Sequence, residues 1–113
     1  RRQNLWRGLQ PKWPLKQIQP NVEEIKTRLG LIQALEAVRA LEEGVLTNVR
    51  EGDVGAILGW GCLPWAGGPF GWLDIVGIEP IVKICKKFSI NFGPRFAPPK
   101  MLETMAKTNS KFY

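Results

Sequence analysis

At 113 residues, 44% apolar and 23% charged, the chain has room for one globular domain with a modest core, and its composition excludes intrinsic disorder. The net charge of +6 is carried by the ends: residues 1–16 hold five bases and no acid, whereas residues 17–94 hold seven bases against nine acids, which is not the single basic face of a nucleic-acid binder. The absence of histidine excludes, within this chain, a Ser–His or Cys–His nucleophile pair and a Cys/His zinc site.

The opening Arg1-Arg2 has no initiator Met, no apolar leader core and no small-residue cleavage site, and reads as the middle of a longer protein. Residues 1–20 carry Pro11, Pro14 and Pro20, which remove backbone donors and disfavour helix just before them. They are expected to form an extended arm with at most one helical turn, at residues 4–9. Trp6 and Trp13 stand among the arm's bases. They imitate a nucleic-acid-binding pattern weakly, and the simpler expectation is a segment lying against another domain.

The helical domain is expected over residues 21–113. Asn21 is a good N-cap, and Glu23 and Glu24 follow in the first turn, where the helix dipole favours acid. The first long helix runs to about Glu43 and stops at Gly44. Its apolar face changes side, from Val22, Ile25, Leu29 and Ile32 to Leu31, Leu35, Val38, Leu41 and Val45. A helix in the middle of the domain, burying one side and then the other, is the expectation. Glu36, Arg39 and Glu43 form a polar rail, and Gly30 marks a bend or a close crossing. Thr47 or Asn48 caps the next helix, Val49 to about Gly59, with Val54, Ile57 and Leu58 turned inward. A further helix starts near Gly68-Pro69 and ends at Gly77. The next has Ile78, Ile81, Val82, Ile84, Cys85 and Phe88 inside and Lys83, Lys86 and Lys87 in water, and ends by Gly93-Pro94. The last, Lys100 to about Lys107, buries Met101, Leu102 and Met105, and Phe112-Tyr113 tucks back as a latch. No segment alternates like a paired strand, so the fold class is all-α, a single domain of about five helices.

The stretch Asp53–Asp74 carries no charge between its two aspartates. Its length suits a membrane span, but six glycines and two prolines among residues 54–73 would break a bilayer helix. It has no GxGxxG or GxxxxGK[ST] pattern and no internal base, so it is no phosphate cradle. What remains is a helix, a sharp glycine turn and a second short helix packed on the first. Trp60, Trp65, Phe70 and Trp72 around the turn are either core or the wall of an apolar groove; core packing is the simpler role. Asp53 and Asp74 are the candidate acids, and Asp74 reads more simply as a capping or turn-bonding residue. Cys62 has no nearby positive partner that would make it a nucleophile. Cys62 and Cys85 together make no disulfide framework, and read as two reduced, buried thiols of a cytosolic protein.

The run EIKTRLGLIQALEAVRALEEGVLTNVREGDVGAILGWGCLPWAGGPFGWLDIVG, followed by GPRFAPPKMLETMA and the ending KFY, resembles the C-terminal helical domain of 3-hydroxyacyl-CoA dehydrogenases. It is most similar to the second of two helical repeats closing the multifunctional fatty-acid oxidation enzyme of α-subunit type. The resemblance spans roughly residues 3 to 113. It rests on Arg28 with Glu36 and Ala37, on Asp53, on a turn of Gly59, Gly61, Pro64, Gly67 and Gly68, and on the close Asp74 and Gly77. It implies an all-α domain of an NAD-dependent (3S)-3-hydroxyacyl-CoA dehydrogenase of β-oxidation, whose parent chain also carries an enoyl-CoA hydratase domain. The NAD site and the catalytic His with its Glu partner belong to parts of the parent absent from this chain. No catalytic, cofactor or metal residue is therefore expected here, and NAD is the parent's cofactor. Implied partners are the remaining parent domains, acyl-CoA, and a second copy or a thiolase subunit, with no nucleic acid and no membrane span. Leu58, Gly59 and Trp60 are the implied substrate-proximal residues; some relatives have Tyr at the position of Leu58, and Leu58 cannot donate that hydrogen bond. Gly30 departs from the larger apolar residue of relatives. The opposing reading is a free-standing helical interaction module that docks a partner on the Trp/Gly-rich turn 59–72.

Overall fold

The computed structural model describes Asn4, residues 6–62 and residues 64–113. Arg1 and Arg2 of the basic arm lie outside the described residues. Among these there are six α-helices and no strand: α1 (Leu9–Lys12), α2 (Val22–Glu42), α3 (Val49–Trp60), α4 (Gly68–Val76), α5 (Ile78–Phe92) and α6 (Lys100–Thr108). Two 3₁₀ turns, Pro64–Ala66 and Pro94–Phe96, link α3 to α4 and α5 to α6.

The helix starts follow local chemistry. Asn21 accepts from the amides of Glu23 and Glu24 and caps α2. Asn48 accepts from Glu51 N and caps α3, while the Thr47 hydroxyl donates to the Glu51 carboxylate at 2.6 Å, which holds that carboxyl below its usual range. The arm's short helix is Leu9–Lys12 rather than residues 4–9, because Pro11 falls in its first turn, where a missing N–H costs nothing.

The core joins α2, α4, α5 and α6. Leu31, Ala34, Leu35 and Val38 of α2 meet Phe70 and Leu73 of α4, Ile78, Ile81, Val82, Cys85 and Phe88 of α5, Phe96, and Leu102 and Met105 of α6. The buried residues expected for α5 and α6 are there, with Ile84 and Met101 half-buried at the margin. α2 corrects the two-sided expectation. Its second stripe is core, but Val22 and Leu29 are exposed, and so is Val45 beyond its end. Of the first stripe, Ile25 and Ile32 are half-buried and Ile32 packs against the core, so only its outer residues are left uncovered by the described residues. Gly30 produces no break in α2; a Cβ there would stand 3.8 Å from the Trp72 ring, which marks the crossing with α4.

Arg39, read from sequence as part of a polar rail, joins elements. It pairs with Glu36 and donates to the carbonyls of Arg95 (2.9 Å) and Ala97 (3.0 Å), satisfying acceptors on the second 3₁₀ turn. The neighbouring Glu42 accepts from Met101 N at the start of α6. Arg28 lies 3.8 Å over the Phe92 ring, beside the edge-to-face cluster of Phe88, Phe92 and Phe96.

Candidate functional site: the joint between α3 and α4

The two aspartates that bracket the uncharged stretch converge on one joint. Asp53 is only 4% exposed. Its Oδ1 accepts from Phe70 N at 2.8 Å and its Oδ2 from Gly71 N at 3.0 Å. The Phe70 amide, in the first turn of α4, has no partner within its own helix. An acid on α3 thus caps the neighbouring helix, with charge and dipole aligned. The Tyr113 hydroxyl donates to Asp53 Oδ2 at 2.9 Å. Asp74, at the other end of α4, accepts from Phe112 N and Tyr113 N at 3.1 and 3.0 Å. The Phe112 ring packs edge-on to Phe70 with centroids 4.9 Å apart. The expected latch is present, but Asp74 corrects its expected role: it neither caps a helix nor bonds a local turn, and instead holds the tail 38 and 39 residues further along the chain.

The glycines make this approach possible. Gly61 ends α3 at φ +76° and Gly67 sits at φ +72°. At Gly68, φ is +91°, and an added Cβ would come within 2.6 Å of the Asp53 carboxyl carbon. Pro64 opens the intervening 3₁₀ turn, and Gly77, φ +96°, separates α4 from α5.

This geometry overturns the expected faces of α3. Gly52, Asp53 and Ala56 are buried, whereas Val54 and Leu58 point outward, Leu58 with 80% of its surface exposed. The reason is the joint itself. Successive helical residues are about 100° apart, so turning Asp53 toward α4 turns Val54 and Leu58 away. Gly52 allows this by leaving room for the Phe70 ring, which a Cβ would overlap. Expecting core packing at all four turn aromatics fails for two of them. Phe70 is fully buried and Trp72 packs against the core, but Trp60 and Trp65 are 58% and 78% exposed. Leu58, Gly59 and Trp60 therefore form the exposed end of α3, continuous with an open cleft of about 480 Å³ between α2 and α3. Its walls include Ile32, Ala37, Gly55, Ala56 and Trp60, with Glu36 and Arg95 at the edge.

Both acids of the joint are engaged in holding the fold: Asp53 accepts from two backbone amides and a phenol, and Asp74 from two backbone amides. Burial pushes the Cys85 thiol up to about 11, against a smaller opposing effect of Arg39, so it is a packing residue and no nucleophile. Cys62 is free and only half-buried, not fully buried as expected. Among the described residues, no three His, Cys, Asp or Glu side chains gather into a metal cluster. Within the same residues, no helix is long and apolar enough to cross a membrane. Sequence reasoning missed Tyr113 as a partner of Asp53 and Glu42 as a cap of α6. Their signals are tertiary: 60 and 59 residues separate the partners.

No family model matches the chain. It is similar to the fatty acid oxidation complex subunit alpha of Shewanella loihica, 49% identical over 78 residues, which is 69% of this chain and 11% of that protein. The subunit alpha of Vibrio cholerae serotype O1 is 42% identical over 93 residues, 82% of this chain and 13% of its own length. That of Shewanella oneidensis is 37% identical over 100 residues, 85% of this chain and 14% of its own. The chain thus spans about a tenth of the length of the curated relatives it matches, at their C-terminal end.

Proposed function

We propose that this chain, homologous to the C-terminal segment of fatty acid oxidation complex α subunits, is the non-catalytic helical domain of an NAD-dependent (3S)-3-hydroxyacyl-CoA dehydrogenase of β-oxidation. The observation that carries the reading is the joint between α3 and α4. Its two inward acids are spent on backbone amides and Tyr113. What the domain offers instead is surface: Val54, Leu58, Trp60 and Trp65 outside α3 and the turn, and Val22 and Leu29 on α2. Exposed apolar side chains gathered in this way mark an interface. In this reading NAD and the catalytic His and Glu are supplied by other domains, and Leu58, Gly59 and Trp60 line the approach to acyl-CoA. The remaining domains, and a second copy or a thiolase subunit, cover the exposed faces, and the assembly works in the cytoplasm.

The test is an acetoacetyl-CoA-dependent NADH oxidation assay on the 113-residue chain beside a longer protein carrying this segment. The chain alone is expected to be inactive and the longer protein active; turnover by a clean preparation of the chain overturns the proposal. The second reading, a free-standing interaction module, is favoured by the exposure of Trp60 and Trp65 at the turn. An immunoblot of native protein separates the two. A band near 12.7 kDa supports the module, and one several-fold heavier supports the domain.

A further inference from the structure

We infer that residues 110–113 are a releasable strap, and that Tyr113 is the positioning residue through which the strap sets the joint between α3 and α4. The inference is independent of the proposed function, because it concerns only how this chain holds itself.

The strap is held by few contacts. It leaves α6 through Asn109, the one described non-glycine residue with positive φ (+51°). Ser110, Lys111 and Tyr113 are exposed, and only Phe112 is partly covered. Beyond Ser110, whose amide returns to the Met105 carbonyl, the strap is attached through the two amides on Asp74, the packing of Phe112 on the core edge beside Phe70, and the Tyr113 hydroxyl on Asp53.

The strap is also wired to the joint. Asp53 Oδ2 is shared: the Tyr113 hydroxyl and Gly71 N both donate to it, while Oδ1 takes Phe70 N. Tyr113 closes the open side of a carboxylate that otherwise caps α4 alone. With the strap docked, Asp53 is fixed and the start of α4 is held against α3. With the strap off, water reaches Asp53, and the cap and the adjoining turn loosen together. The amides of Phe70 and Gly71 report this directly, since both donate to Asp53 and the Phe70 amide has no helical acceptor.

The test is amide hydrogen exchange by NMR on the whole chain, comparing the parent with Tyr113→Phe and Asp74→Asn. Tyr113→Phe keeps the ring and the Asp74 contacts and removes only the hydroxyl. Asp74→Asn weakens the grip on the backbone of the strap without touching Asp53. Both are expected to speed exchange at Phe70 and Gly71 by about fivefold, the worth of one net hydrogen bond. The core amides of Leu35 and Val38 should be unchanged. If Phe70 and Gly71 keep the parent's rates in Tyr113→Phe, the inference is overturned. It is equally overturned if Asp74→Asn speeds exchange at Phe112 and Tyr113 alone, for then the tail is a local contact with no hold on the joint. Should Asp74→Asn fail to fold, the hydroxyl variant decides by itself.

Discussion

Asp53 shows how much one side chain can organise. It is a buried acid with no cation beside it among the bonds it makes, held entirely by two backbone amides and a phenol. Asp53→Asn keeps the shape but aims an amide NH₂ at one of three donors, so we expect a loss of about 3 kcal/mol in urea unfolding. Two glycines give opposite outcomes for one chemical change. Gly68→Ala forces a side chain into positive φ and against Asp53, and is expected to cost about 3 kcal/mol. Gly30→Ala adds a Cβ at ordinary contact distance from Trp72 inside a helix, and is expected to stabilise by about 1 kcal/mol, seen as a higher melting temperature. The cysteines divide in the same way. One equivalent of thiol should react with a disulfide reagent near pH 8, at Cys62, while Cys85 stays silent until the protein unfolds.

The outer face of α3 is mostly exposed among the described residues. Leu58→Lys and Val54→Lys should therefore leave the unfolding midpoint of the isolated domain nearly unchanged, within about 0.5 kcal/mol. A large loss would mean that this face is internal after all. The strap brings a pH dependence. Desolvation first, and then the hydrogen bond and charge of Asp53, raise the Tyr113 phenol above its ordinary value; Asp74 adds to the rise and Arg50 opposes it. The folded state thus binds this proton more tightly than the unfolded state. Its contribution is whole below the unfolded tyrosine value of about 10 and is lost as pH rises through the higher folded value. Stability scanned into alkali should fall more steeply in the parent than in Tyr113→Phe.

At the scale of the molecule, the exposed faces of α2 and α3 are what an unaccompanied domain should show if its natural place is against others. Light scattering is expected to show self-association that grows with concentration, or a hydrophobic dye to bind strongly. A strict monomer with no dye binding would count against an interface role. Most of the architecture was legible at this scale. Helix starts and stops were readable because Asn21, Gly44, Asn48, Gly77 and Gly93 act through bonds and backbone angles a few residues away. The amphipathic pattern of α5 was readable because its two sides differ cleanly. The outward turn of α3 was hidden, because hydrophobicity argued for Val54 and Leu58 while a polar cap decided for Asp53.

The sequence by itself determined the helical class, the element order, the glycine turn and the lack of a histidine-based site, since all of these depend on composition or on neighbours along the chain. Only the tertiary structure decided which face of α3 is buried, that Arg39 and Glu42 tie elements together, and that Asp53, Asp74 and Tyr113 meet. The physical reason is that an unpartnered amide at a helix start must find an acceptor wherever in space one stands. Its partner is chosen by packing across tens of residues and leaves no local trace.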